Sequence, residues 1–283
     1  MPNDCLNCGL ELRGPFCGAC GQRAIPAYPS VREMIGDAWE ELSGYDGRFA
    51  RTLRVLLSRP GALTIAVLEG RRVRYISPVR LYLLASVLYF LCAVSVPNLR
   101  LAAPPVTPGT NVTIAIDGSG AAAQMSPEDR DEALKNLERA PWWAQAVIRP
   151  LLLDPAAFRR RFLETLPRVL FALVPVFAAI VALFYRRRRF TQHLVFAVHL
   201  HTFVFITLTI RELSQLAGSD VVLGLFEAGA VLAIAGWTLV AFRRVYREGW
   251  SRVLLKGIGV AIVYAVAGLA ALVVTLIWAV IPD

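Results

Sequence analysis

Long apolar runs constrain the fold of this chain more than any other feature. A helix needs about 20 mostly apolar residues to cross a hydrocarbon core about 30 Å thick. Five runs approach or reach that length, at 79–96, 167–185, 191–210, 221–241 and 257–281. Of the 283 residues, 56% are hydrophobic and only 18% are charged, which is too few polar residues to cover a soluble domain of this size. We therefore predict an all-α integral membrane protein with about five transmembrane helices.

The basic residues lie at the ends of these runs and predict the orientation. If five helices alternate, three basic clusters share one side of the membrane. The positive-inside rule then predicts a cytoplasmic N-terminus and an extracytoplasmic C-terminus. The long loop at 97–166 carries "RRR" on the other side, but long loops translocate largely regardless of charge. The clusters are Arg71, Arg72, Arg74 and Arg80, then Arg186, Arg187, Arg188 and Arg189, then the basic residues of 243–256.

The formal net charge of +9 has two interpretations. Nucleic-acid binding would require a basic face on a soluble module. The crowding of arginines beside apolar runs instead indicates a topology signal or contact with anionic headgroups. We therefore expect the lipid bilayer as a partner and no nucleic acid.

Four cysteines precede the apolar runs in the pattern C-x2-C-x8-C-x2-C, at Cys5, Cys8, Cys17 and Cys20. Two residues between thiolates let one tight turn present both sulfurs to a metal, and four thiolates form a closed tetrahedral shell. This predicts a structural zinc ribbon over 1–23 that folds on metal binding and suits a reducing compartment. A glycine after each pair would let backbone amides approach the sulfurs. A redox dithiol pair and an iron–sulfur site are the alternatives.

A linker with short amphipathic helices is predicted between the ribbon and the first span, over 24–78. A helical period runs through 30–42 and again through about 47–58, and a short apolar stretch occupies 62–70. The helices form either a small packed cytoplasmic domain or an interfacial layer in the headgroup plane.

The loop at 97–166 is predicted to be extracytoplasmic. A Pro/Gly/Ala-rich linker leads to a helix with Ser126 as its N-cap and Pro127 in its first turn. Residues 141–167 contain Pro150, Pro155 and several arginines. We expect them to form interfacial helical pieces, with the second span beginning at 167.

Polar residues inside the predicted spans form a candidate intramembrane site. They are His193, His199 and His201 in the third span and Glu227 in the fourth. The histidine spacing is not the i, i+4 pattern that binds one metal from one helix. Neutral histidines hydrogen-bonded to other helices are the structural interpretation, and a proton or ion path and a metal site are the alternatives. Glu227 is expected to face Arg211, a histidine or the headgroups.

Four stretches resemble the bacterial membrane proteins grouped as domain of unknown function number 3667. They are "CLNCGLELRGPFCGACGQ", "TLRVLLSRPG", "EGRRVRYISPVRLY" and "FTQHLVFAVHLHTF". The resemblance runs from Cys5 to about Phe203 and implies a zinc-ribbon-headed, multi-span protein of the inner membrane, with no established activity. It emphasises Gly70, Arg72, Tyr75, Pro78, Arg80, His193 and His199.

No catalytic motif is present in the sequence: it has no nucleophile elbow, phosphate loop or dinucleotide fingerprint. The sequence therefore favours a non-enzymatic membrane protein whose cytoplasmic ribbon binds a protein partner or organises the N-terminal helices. A small transporter or channel that uses the polar residues of the third and fourth spans, with a homo-oligomer as one form, is the alternative. A membrane enzyme acting on lipid or envelope precursors, with "GRRVRY" holding phosphate headgroups, is a further one.

Overall fold

The computed structural model describes residues 4–24, 48–95, 127–217 and 219–280. Within these ranges the regular elements are helices, and two isolated antiparallel bridges occur in the cysteine module. The predicted amphipathic helix at 30–42, the linker at 97–126 and the N-cap Ser126 lie outside the described residues.

Nine α-helices follow in chain order. They are α1 (Arg48–Ser58), α2 (Ala62–Leu68), α3 (Pro78–Ser95), α4 (Pro127–Leu137), α5 (Trp142–Leu153), α6 (Pro155–Phe184), α7 (Phe190–Ser214), α8 (Asp220–Tyr246) and α9 (Trp250–Val280) among the described residues. A single 3-10 turn, Gln215–Ala217, extends α7. The predicted helix at about 47–58 and the short helical stretch after it correspond to α1 and α2.

In the described part of the chain, four helices are long and apolar enough to cross a membrane: Arg160–Phe184, Phe190–Ala217, Val221–Tyr246 and Trp250–Ala279. Many of their side chains are exposed and apolar, for example Leu255 in α9, which is 75% exposed. Lipid acyl chains would cover such a surface. The chain therefore has the helices of a multi-pass membrane protein.

Helix α3 coincides with the first predicted span but is shorter than the other four. Its apolar part, Pro78–Ala93, falls among the shorter apolar helices of the described chain. At 1.5 Å per residue the whole helix is about 27 Å long, just under the thickness of a hydrocarbon core. A fifth span therefore stays a prediction.

The start of the second span differs from the predicted boundary at 167. Helix α6 begins at Pro155 and continues through Pro167 and Pro175 to Phe184 without interruption. Pro155 stands at the first helical position, where the missing amide hydrogen costs no hydrogen bond. Pro150 likewise lies inside α5 and does not break it. The prolines that predict interruptions in this region thus lie within two continuous helices, α5 and α6.

The chain divides into two compact units. Unit 1 contains Met1–Tyr89 and Val174–Tyr264, and unit 2 contains Phe90–Leu173 and Ala265–Asp283. In unit 2, α4 packs against α5, and Phe158, Phe162 and Ala279 form a buried apolar cluster. Unit 1 holds the cysteine module, α1, α2 and most of the membrane-spanning residues.

Helix α7 forms the centre of unit 1, where it packs against α1, α2 and α8. Its side chains Val195, Phe196 and Ala197 have no exposed surface. Phe196 contacts Phe242 of α8, with ring centroids 4.8 Å apart. The short helix α2 also has an apolar face buried in this unit, and Val67 packs against Val195. A seven-residue helix is too short to span a bilayer, so α2 is a buried packing element of unit 1.

Candidate metal centre and its contacts

The four predicted cysteines come together at one point. Their sulfur atoms all lie within 4.8 Å of one another, with Cys5 Sγ 3.5 Å from Cys20 Sγ and Cys8 Sγ 3.5 Å from Cys17 Sγ. All four are free thiols. A tetrahedral site with metal–sulfur distances of about 2.3 Å places its sulfurs about 3.8 Å apart. The cluster therefore fits a single four-coordinate metal ion.

Two copies of one backbone turn build this cluster. The Gly9 amide donates to the Cys5 carbonyl (2.7 Å), and the Gly21 amide donates to the Cys17 carbonyl (2.9 Å). The two glycines have φ of +79° and +71°, a conformation that other residues rarely adopt. Each turn is closed by an antiparallel bridge, Asp4 to Glu11 and Phe16 to Arg23. We call these turns the first and second knuckles.

Backbone amides in the second knuckle favour thiolates. The amides of Cys20 and Ala19 lower the pKa of Cys17. Burial raises the pKa of Cys20, but hydrogen bonds from the Asn7 side chain and the Gln22 backbone outweigh it and lower that pKa to about 6. The Gln22 amide comes directly after Gly21, the glycine that was expected to let backbone amides approach the sulfurs. Hydrogen bonds to a sulfur anion stabilise it as a metal ligand.

The first knuckle shows what the crowding of sulfurs costs. The Leu10 amide lowers the pKa of Cys8, but the neighbouring Cys17 thiol and burial raise it more, to about 12. Four sulfurs this close resist carrying four negative charges. A divalent cation at the centre removes that repulsion and allows all four to ionise. Among the described residues, this is the one group of three or more His, Cys, Asp or Glu side chains that could hold a metal ion.

The cysteine module is attached to the turn that follows α2. Gln22 Nε2 donates to the Gly70 carbonyl (2.7 Å), and Gln22 Oε1 accepts from the Arg72 amide (3.3 Å). The Gln22 side chain is buried. Leu6 of the first knuckle covers Gly70, where an added Cβ would lie 2.6 Å from Leu6 Cδ1. We call the contacts of Leu6 and Gln22 with Gly70 and Arg72 the ribbon dock.

The α1–α2 hairpin, residues 48–68, is in turn attached to the long helices. Trp237 Nε1 of α8 donates to the Leu56 carbonyl (2.8 Å), and a guanidinium nitrogen of Arg244 donates to the Pro60 carbonyl (2.7 Å). Gly61 approaches α8 so closely that an added Cβ would lie 3.2 Å from the Ala241 backbone. These contacts place the hairpin beside the C-terminal part of α8.

A family model described as "Protein of unknown function (DUF3667)" matches residues 46–90. These residues are similar to that family. The predicted resemblance is thereby confirmed for this segment, which we call the DUF3667 segment. It contains the hairpin, the Gly70 turn and most of α3. No curated protein and no solved structure matches the chain.

The arginines of the DUF3667 segment do not form one common site. Arg71 forms an ion pair with Glu69, and Arg72 contributes its backbone amide to the ribbon dock. Arg74 is exposed and Arg80 is half-buried. Outside the segment, Arg186, Arg187, Arg188 and Arg189 are exposed in the turn between α6 and α7. The topology interpretation of the exposed arginines stays a prediction.

Each of the three histidines of α7 is hydrogen-bonded to a different helix. Their partners are the Tyr246 hydroxyl of α8 for His193 Nδ1 (2.8 Å), the Thr64 hydroxyl of α2 for His199 Nδ1 (3.0 Å) and the Tyr264 hydroxyl of α9 for His201 Nε2 (2.7 Å). His201 Nδ1 also lies 2.8 Å from the Ala197 carbonyl. That nitrogen must therefore donate, and Tyr264 must donate to His201 Nε2. These contacts match the structural interpretation of the histidines.

The contact between Thr64 and His199 lies far from either end of α7. His199 is nine residues after Phe190, or about 13 Å along the helix. Both side chains have no exposed surface. The DUF3667 segment thus reaches the middle of a membrane-spanning helix through one polar pair.

Glu227 lies apart from the histidines and pairs with Arg211. Arg211 donates to Glu227 (2.5 Å) and to Glu212 (2.7 Å). The side chain of Glu227 is 49% exposed and that of Glu212 is 5% exposed. Of the three predicted positions of Glu227, the structure therefore selects the one facing Arg211.

Several residues of this arrangement carry no signal in the sequence. Leu6 lies between Cys5 and Cys8, and Gln22 comes two residues after Cys20. Thr64 and Trp237 stand in apolar helical stretches with nothing in the sequence to distinguish them. One sign was available for Gly70, since a glycine that follows a helix commonly ends it. The partners of the other four depend on contacts between distant parts of the chain.

Proposed function

We propose that this protein is a multi-pass protein of the bacterial inner membrane, in which a structural zinc ribbon organises the N-terminal segment. The observation that carries the proposal is the pair of hydrogen bonds from Gln22 to Gly70 and Arg72. They join the cysteine module to the DUF3667 segment of the same chain. Of the two roles expected for the ribbon, this contact favours the organising one.

Zinc is the metal that the cluster suits best. Four thiolates leave no coordination position open for a substrate, which is the arrangement of structural zinc sites. A set of four cysteines also fits an iron–sulfur centre, but the sulfurs here surround a point sized for one ion. The residues that would hold the zinc are Cys5, Cys8, Cys17 and Cys20. When bound, the metal would supply folding energy and no reaction chemistry.

The contacts in unit 1 support a cytoplasmic position for the ribbon. The dock joins it to the turn at Gly70, whose neighbouring residue Val67 packs against Val195 near the start of α7. His193 joins the start of α7 to Tyr246 at the end of α8. The arginines at 186–189 precede α7, and Arg243, Arg244 and Arg247 lie at the C-terminal end of α8. The ribbon and these arginines therefore share one end of the helices, and the positive-inside rule favours the cytoplasm for that end.

Binding of a protein partner is a second role for the ribbon, and one observation supports it. Leu10 and Phe16 of the ribbon are 52% and 60% exposed, and neither takes part in the dock. Exposed apolar side chains on a module this small favour a binding surface. The transport and lipid-enzyme alternatives gain less support, since the histidines bond to separate helices and the arginines of "GRRVRY" do not converge.

Metal analysis of the full-length protein in detergent or nanodiscs tests the proposed function. We expect about one zinc per chain by mass spectrometry, since one cluster fits one ion. The Cys5→Ser and Cys17→Ser double variant should lose it, whereas Cys92→Ser, in α3, should keep it. Stoichiometric iron with visible absorption, or a protein that is equally stable without metal, would contradict the proposal.

A further inference from the structure

The ribbon dock takes one residue from each knuckle. Leu6 belongs to the first knuckle, between Cys5 and Cys8, and Gln22 follows Cys20 in the second. Leu6 covers Gly70 from one side while Gln22 binds the Gly70 carbonyl. The dock therefore requires the two knuckles to keep a constant position relative to each other.

The four sulfurs are what joins the knuckles. The bridge from Asp4 to Glu11 lies within the first knuckle, and the bridge from Phe16 to Arg23 lies within the second. The backbone hydrogen bonds of Cys5 to Leu10 and of Cys17 to Gln22 are likewise internal to one knuckle. Between the knuckles, the described contacts involve sulfurs: the pairs Cys5–Cys20 and Cys8–Cys17, and the hydrogen bond from the Asn7 side chain to Cys20. Gln22 is thus held in place by the turn that presents Cys17 and Cys20.

The dock lies next to a helix that reaches into the long helices. Gly70 and Arg71 end α2 by donating to the carbonyls of Val67 and Ala66. Gly70 has φ of +82°, a conformation that glycine adopts readily and other residues rarely. Two turns earlier in the same helix, Thr64 binds His199. Helix α2 is therefore attached to the ribbon just after its C-terminal end and to His199 through Thr64.

We propose that metal occupancy of the four cysteines controls how firmly α2 is seated against α7. With metal bound, Leu6 and Gln22 hold the Gly70 turn, and α2 keeps its contact with His199. Without metal the knuckles separate, the dock opens and the C-terminal end of α2 loses its support. The cluster would then report the supply of zinc on one side of the membrane to a contact in the middle of unit 1. This inference rests on the proposed function, which supplies the metal.

Hydrogen–deuterium exchange on the full-length protein in nanodiscs tests the coupling. We expect a zinc chelator to speed exchange of the amides at 62–72 about tenfold or more, since the two hydrogen bonds of the dock are lost. Exchange at 221–233 of α8 should stay unchanged, which excludes global unfolding. Adding zinc back should restore protection.

Variants of the dock separate the metal from the coupling. Gln22→Ala and Leu6→Ala should keep their zinc and yet show fast exchange at 62–72, with little further change on chelation. Arg13→Ala, at an exposed position of the same module, is the matched control and should behave as the wild type. Measuring two dock variants keeps the test decisive if one of them loses its metal.

The outcomes of these experiments distinguish the structural zinc site from its coupling to α2. Loss of zinc and of protection at 4–24, with unchanged exchange at 62–72, overturns the coupling and leaves the structural metal intact. Zinc-loaded Gln22→Ala and Leu6→Ala proteins with wild-type exchange also overturn it. A purified protein without bound metal overturns the proposed function and the coupling together.

Discussion

Gln22 and Gly70 are 48 positions apart and share a buried hydrogen bond of 2.7 Å. The donor lies in the cysteine module, which has almost no apolar core. The acceptor lies at the end of a helix buried among long apolar helices. This bond attaches a polar module to the body of unit 1, and it explains how a cysteine motif and a membrane protein form one structure.

Gly70→Ala should weaken the attachment of the ribbon. A residue with a side chain pays about 1–2 kcal/mol to adopt this left-handed conformation, and its Cβ would also collide with Leu6. We expect faster proteolysis of the N-terminal 24 residues and a lower melting temperature of the membrane protein. Gly14→Ala, where an added Cβ meets nothing within 4 Å, is the control and should have little effect. Equal behaviour of the two variants would show that the turn does not hold the ribbon.

Thr64 and His199 should be energetically coupled. Replacing Thr64 with Val keeps the shape and removes the hydroxyl. Hydrogen bonds between helices in membranes contribute about 0.6–2 kcal/mol. A double-mutant cycle with His199→Phe, measured by unfolding in mixed micelles, should give a coupling energy in this range. Thr275→Val is the control, because Thr275 is equally buried but bonds to Ala271 of its own helix, and it should show no coupling to His199.

Trp237→Phe should destabilise unit 1 by about 1 kcal/mol through loss of one hydrogen bond. The indole donates to the Leu56 carbonyl, whereas its stacking on Phe203 can be kept by a phenylalanine ring. Trp278→Phe, at an exposed position, is the comparison and should leave stability unchanged. Thermal unfolding followed by tryptophan fluorescence measures both. A larger loss of stability in Trp278→Phe than in Trp237→Phe would contradict this prediction.

Arg211→Leu should be far more damaging than Glu227→Gln. Removing the guanidinium leaves the carboxylate of Glu212 buried without its cation, which typically costs about 3–5 kcal/mol. Glu227 is half exposed, and its replacement leaves the pair between Arg211 and Glu212 intact. We expect low yield and a low melting temperature for the first variant and near-normal values for the second. The opposite order would mean that Glu227 has a function beyond its ion pair.

The transmembrane character and the candidate metal ligands could both be predicted from local patterns. Each apolar run specifies a helix because a membrane leaves backbone groups no partner outside their own segment. Cys5, Cys8, Cys17 and Cys20 could be grouped because a metal site needs thiolates at a tight spacing. The family resemblance was likewise visible in short motifs and is confirmed over residues 46–90.

Helix limits were harder to predict, and prolines are the reason. Pro150 and Pro155 suggested an interrupted segment, yet α5 continues through Pro150 and α6 begins at Pro155. A proline at the first helical position removes no helical hydrogen bond. A proline in the interior of a helix is tolerated when neighbouring helices pack around it. Whether a proline ends a helix therefore depends on what packs around it.

The sequence alone determined that four long apolar segments form helices that suit a membrane and that four cysteines can share a metal. These properties depend on residues that are close together in the chain. The tertiary structure alone decided that His199 binds Thr64, that Glu227 faces Arg211 and that Gln22 supports the turn at Gly70. Those pairs join segments up to 135 positions apart. Their geometry is set by how helices pack, because many surfaces of equal hydrophobicity compete for each contact and only shape and polar pairing select one.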